Sequence, residues 1–148
     1  MTLKATIAEL GDVPWPLRTA ALASIALGII FPIITLIPGA DFNLAGTVMS
    51  HEEIWASGVA VAIMVVAPLM LAIGFGILLH RRWVRMPLVV LPILQYLPFQ
   101  AAHWLSSAPN PTPSIQQYAI SCVVWAAITS IYLFASSTAK RYFQSVRA

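Results

Sequence analysis

Four long apolar runs occupy most of this 148-residue chain, and its eight basic residues sit in only three of the five segments around them. Lys4 and Arg18 precede the first run or open it. Arg81, Arg82 and Arg85 lie between the second and third, and Lys140, Arg141 and Arg147 follow the fourth. Basic residues beside membrane spans are retained on the cytoplasmic side, so this alternation predicts four crossings with both termini inside. A span needs roughly 20 apolar residues to cross about 30 Å of hydrocarbon, and four of them with short loops leave no length for a soluble domain.

Composition agrees: 59% of residues are hydrophobic and 9% charged, where soluble domains carry about 25% charged residues. The expected fold is all-α, a polytopic membrane protein built as one domain, residues 1–148. It is a bundle of four transmembrane helices, N-in and C-in, with neighbours antiparallel because the loops are short. Residues 1–16 are expected to be a cytoplasmic interfacial segment, and the spans to cover about 17–38, 54–79, 87–105 and 116–136. A short uncleaved chain of this form suits the bacterial inner membrane. A cleaved signal peptide is the competing reading of the first run, but Leu17 to Pro38 exceeds the usual 7–15 residue apolar core of such signals.

Leu3, Ile7 and Leu10 recur at helical spacing before Gly11, which predicts a short amphipathic helix on the membrane surface. Trp15, between Pro14 and Pro16, reads as an interfacial anchor. Asp41, Glu52 and Glu53, the acids beyond the N-terminal segment, lie in the first connection between spans. There Ser50-His51-Glu52-Glu53 has capping-box form and should start span two; Ser114 to Gln117 should start span four in the same way. Gly58, Ala62, Gly74 and Gly76 offer small surfaces for close helix approach in span two. Pro92 and Pro98 make span three the least regular expected helix, because each frees a carbonyl that lipid cannot satisfy. Kinks are expected there and at Pro32 and Pro68.

The net charge of +3 comes from scattered juxtamembrane sites, not a continuous basic stripe, so nucleic acid is not an expected partner. These residues read as topology signals and lipid-headgroup contacts. His80 reads as an interfacial partner of Arg81 and Arg82, and Tyr142 and Phe143 as interfacial anchors.

Two polar stripes are the candidate sites. Tyr96, Gln100 and His103 share one face of span three, with Gln95 and Trp104 at its edges; Gln117, Ser121, Trp125, Thr129 and Tyr132 share a face of span four. Buried amides and imidazoles are costly in lipid unless paired, so these faces should meet each other or a partner. Interhelical hydrogen bonding is the simpler account; a ligand-binding or solute-lining face is the sharper one.

Absences narrow the function classes. From Ile54 to Ala148 there is no acid, whereas proton-coupled carriers ordinarily hold one in the membrane. The first span lacks the glutamate expected of a small multidrug exporter. Cys122 is the single cysteine, so thiol-oxidising chemistry lacks its pair. No phosphate-binding glycine motif is present. Asp41, His51, Glu52, Glu53 and His103 lie toward one side, but Trp55 stands where a zincin helix needs its second histidine. No metal or cofactor is expected.

Three readings of function result. The leading one is a non-catalytic inner-membrane protein acting by intramembrane protein contact, either an accessory subunit or an immunity protein protecting against a membrane-inserting toxin. The second is a small homo-oligomeric channel or solute facilitator lined by Tyr96, Gln100, Ser121 and Thr129. The third is a haem or metal redox subunit using His51 and His103. Membrane lipid is a partner in all three.

Overall fold

The computed structural model describes residues 13–44, 47–105 and 115–144, with backbone alone at 44, 47, 102–105 and 115–117. The expected amphipathic helix around Leu3 to Leu10, the Pro-rich connection 106–113 and the capping residue Ser114 lie outside the described residues. What is described is mostly helical, 84%, and three helical stretches are long and apolar enough to cross a membrane.

Helix α1 runs over Trp15–Leu36, entered through Pro14 and with Pro16 in its first turn. Proline is tolerated there because the first helical N–H groups have no intrahelical acceptor. After it the chain departs from an all-α design. Strands β1 (Phe42–Leu44) and β2 (Thr47–Met49) form an antiparallel hairpin in which Phe42 faces Met49 and Asn43 faces Val48. The alternation explains it: Phe42 and Met49 are buried on one face, while Asn43 and Val48 point outward. Three-residue strands are too short to stand out in a sequence dominated by helical periodicity.

The capping box forms as expected. Ser50 N–H donates to Glu53 Oε2 at 2.7 Å and Glu53 N–H donates to Ser50 Oγ at 3.3 Å. It does not open the span directly, however. It starts a short helix α2, His51–Ala56, and the chain then breaks at Ser57-Gly58 before helix α3, Val59–Leu78. Gly58 has φ 75°, a left-handed conformation that glycine enters without the steric penalty other residues carry. Phe42, Met49, Ile54, Val59, Ala60 and Ile63 form a small core here, so the hairpin and α2 cap this end of the molecule.

At the opposite, basic end, a short 3₁₀ turn over Arg82–Val84 leads into helix α4, Arg85–Leu105. Expected to be the least regular helix, α4 runs unbroken through Pro92 and Pro98. The irregularity lies instead in the next one. Helix α5, Ile115–Ser130, passes into a π turn over Ile131–Ala135, and the helix breaks at the extended residue Ser136 before helix α6, Ser137–Gln144.

The long helices pack in series: α1 on α3, α3 on α4, α4 on α5. One core gathers the series at the basic end, with Leu17 and Ala21 of α1, Ile73 and Ile77 of α3, Leu88 and Leu91 of α4, and Leu133, Tyr142 and Phe143 from beyond α5. Tyr142 and Phe143 are therefore core residues, not interfacial anchors. Burial is 6% exposure for Tyr142 and 1% for Phe143.

Candidate functional site

The α4–α5 seam begins with a covalent fact: proline at position 92 has no N–H, so the carbonyl four residues earlier, that of Leu88, loses its helical donor. Trp125 Nε1–H on α5 donates to that same carbonyl at 2.9 Å. One turn along, Tyr118 Oη–H donates to the carbonyl of Pro92 itself. Tyr118 also stacks on Tyr96, with ring centroids 3.8 Å apart and planes 16° from parallel. The Trp125 bond thus satisfies the carbonyl that Pro92 leaves without a helical donor, while the Tyr118 bond adds a second donor to a carbonyl within reach of Tyr96 N–H.

The α4 stripe divides between two neighbours. Gln95 turns toward α3, its Nε2–H donating to Met70 Sδ at 3.0 Å, a weak acceptor. Tyr96 turns toward α5. Gln100 is half-buried on the same helix, and the side chains of His103, Trp104 and Gln117 lie outside the described residues. On α5, Thr129 is buried, Trp125 is partly exposed although its indole N–H is engaged, and Ser121 is exposed. The contacts across the α4–α5 seam therefore involve Tyr96 and Trp125 of the two stripes and Tyr118, which belongs to neither. Tyr118 was within reach of the sequence, since it precedes Ser121 and Trp125 by three and seven residues.

A second polar assembly closes the basic end, and three of its side chains, Tyr142, Arg82 and Arg85, bond carbonyls at helix ends. The last carbonyls of a helix have no intrahelical donor. Tyr142 Oη–H donates to Ile77 O at 2.8 Å, Arg82 Nε–H donates to Phe143 O at 3.0 Å, and Arg85 Nη2–H donates to Leu133 O. Arg85 also sits over the Phe134 ring, 4.3 Å from its centroid, and 5.8 Å from that of Phe143. Cations at helix C-termini and over aromatic faces are favourable on both counts. His80, in a left-handed turn with φ 54°, stacks on Tyr142 at 4.1 Å instead of pairing with Arg81 and Arg82. Burial pushes the Tyr142 phenol up to about 12.

The small residues of α3 are engaged within the chain. A Cβ on Gly74 would lie 2.6 Å from Ile25 Cγ1 and 2.9 Å from the Ala21 carbonyl oxygen, and one on Gly28 of α1 would lie 3.1 Å from the Ala67 carbonyl oxygen. Gly76 gives room to Val84 and Trp83 of the 3₁₀ turn. At the hairpin end, the Ser50 hydrogen bonds hold the Glu53 carboxyl below its ordinary range. Among the described residues no three His, Cys, Asp or Glu side chains are grouped as metal ligands.

Chemically, the seam offers phenol and indole groups, of which Tyr118 and Trp125 donate to α4 carbonyls. No family model, curated protein or solved structure matches the chain.

Proposed function

We propose that this chain is a non-catalytic integral protein of a bacterial inner membrane, with both termini cytoplasmic, that acts through intramembrane helix contact with another protein. An accessory subunit and a protector against a membrane-inserting toxin are the two forms of that role. The observation that carries the reading is the unequal covering of the apolar stretches: 6% of the Tyr118–Ala135 window is buried inside the molecule, against 44% for α3. Ile120, Val123, Val124 and Ile128 stand exposed along α5, and Ile131 at the start of the π turn. Because Gly74 of α3 is taken up by α1 and Gly76 by the 3₁₀ turn, and Tyr96 and Gln95 of α4 meet neighbours within the chain, partner recognition is assigned to α5 and not, as the sequence suggests, to the polar face of α4 and the small-residue face of α3. In lipid such recognition relies on shape and van der Waals packing, since hydrocarbon is as apolar as the side chains. A partner helix laid along α5 would be kept from its own assembly or held in a larger complex.

The test places a photo-crosslinking residue at Ile120, Val124 or Ile128 in cell membranes, with Val65 on α3 as control. A discrete protein adduct from α5 and none from Val65 supports the reading; lipid adducts alone at all three α5 positions overturn it. Adducts solely between copies of this chain would favour the oligomeric channel instead. Against that second reading, the stacked Tyr96 and Tyr118 rings fill the seam where a pathway would run.

A further inference from the structure

We propose that the basic end carries a binding site for the phosphate headgroup of an anionic phospholipid, formed between the Arg81-Arg82-Trp83 turn and α6. Two distant parts of the chain meet there. The Arg82 bond to Phe143 O and the His80–Tyr142 stack hold the turn against α6. With Ala139, Tyr142 and Phe143 buried, α6 keeps Lys140 and Arg141 exposed, while Arg81 and Arg82 are exposed on the turn. Four exposed cations therefore share one end of the molecule, with half-buried Arg85 behind them, and among the described residues the acids, Asp41, Glu52 and Glu53, all lie at the hairpin end.

Position selects the lipid source. The site lies where α3 ends and α4 begins, and the π turn that closes the apolar α5 stretch leads straight into α6, so the cations stand at the level where a bilayer presents its headgroups. Trp83 and Met86 are exposed beside them, apolar neighbours for the glycerol and upper acyl chain. Guanidinium groups pair with phosphate oxygens in a fork geometry, and each basic residue near an anionic surface contributes about 1 kcal/mol, or about fivefold in affinity. A zwitterionic lipid offers the same phosphate with a cation attached, so a patch of four cations should discriminate against it. The inference is independent of the partner reading, because the exposed α5 positions contribute nothing to this site.

The experiment uses the full chain in neutral detergent, titrated with phosphatidylglycerol, phosphatidylcholine or inorganic phosphate, with bound molecules counted by native mass spectrometry. Phosphatidylglycerol should be retained preferentially. The triple substitution Arg81→Gln, Lys140→Gln, Arg141→Gln spares the capping bonds of Arg82 and Arg85, and should lower that preference about 100-fold. Equal retention of the two lipids by the unaltered protein would overturn the proposal without reference to any variant. So would a folded triple variant with undiminished preference. Displacement of phosphatidylglycerol by equimolar inorganic phosphate would show an anion site with no lipid character, and would overturn it as well.

Discussion

The α1–α3 pair and the α4–α5 pair meet the same difficulty by opposite means. Lipid gives helices no hydrophobic reason to associate, so contact must come from close packing or from hydrogen bonds. Between α1 and α3, Gly28 and Gly74 remove side chains at the crossing and let the backbones approach, with Ala21 and Ile73 buried alongside. Between α4 and α5 the reverse holds: large side chains reach across, Trp125 to the Leu88 carbonyl that Pro92 has left without a donor and Tyr118 to the carbonyl of Pro92 itself. The first pair buries its faces; the second leaves α5 largely uncovered. The first is therefore suited to a fixed scaffold, and the second to a surface still open to contact.

The strongest way to break this contrast is Gly74→Leu. Its Cβ alone would meet Ile25 and the Ala21 carbonyl, and backbone cannot yield as a side-chain tip can. Destabilisation of about 3 kcal/mol is expected from overpacking, read as a shift in the denaturation midpoint in mixed micelles. A cost below that of a typical surface substitution would mean the pair is not closely packed.

The α4–α5 side is sharpened by a double-mutant cycle. Trp125→Phe removes the donor to Leu88 O and should cost about 1 kcal/mol. Pro92→Ala restores a backbone N–H able to reach the same carbonyl, so Trp125→Phe in that background should cost measurably less. Equal costs in both backgrounds would show that the indole bond does not compensate for the proline.

At the basic end, Tyr142→Phe should cost about 1 kcal/mol for the lost bond to Ile77 O. The phenol also sets a pH window. Its folded pKa of about 12 lies above the unfolded value of about 10, so its contribution is complete below pH 10 and is lost as pH rises toward 12. Thermal melts of the two proteins across that range should converge. The smallest effect is expected at the hairpin end, where Glu53 has a lowered pKa. Its contribution is present above the unfolded carboxylate value and fades as pH falls through the folded one. Glu53→Gln should flatten that acid limb, and an unchanged limb would remove the capping box as its source.

Parts of the seam were legible beforehand because they follow from periodicity and from proline chemistry. Pro92 announces a freed carbonyl, and the polar stripes announce which faces must turn inward. The choice of Trp125 as the donor to Leu88 depends on the axial offset of α4 and α5, which no local pattern contains. The break at Gly58 was equally hidden, since Ser50 to Glu53 reads the same whether it opens a long helix or a short one. Tyr142 and Phe143 illustrate a third case. Their spacing with Ala139 was visible, but a short amphipathic helix can lie on lipid or on protein, and only the Ile77 carbonyl at the end of α3 and the core beneath it choose protein.

The amino-acid order alone determined that this chain carries long apolar helices separated by basic and acidic connections, because hydropathy and helical periodicity act within a few turns. It also determined the Ser50–Glu53 cap, a contact across three residues. The tertiary structure decided what those elements do with their remaining surfaces: glycines consumed inside α1–α3, arginines turned to cap helices, and α5 left open. The reason is physical. Backbone satisfaction and close packing are settled between segments tens of residues apart, where each group takes the partner that geometry brings within about 3 Å.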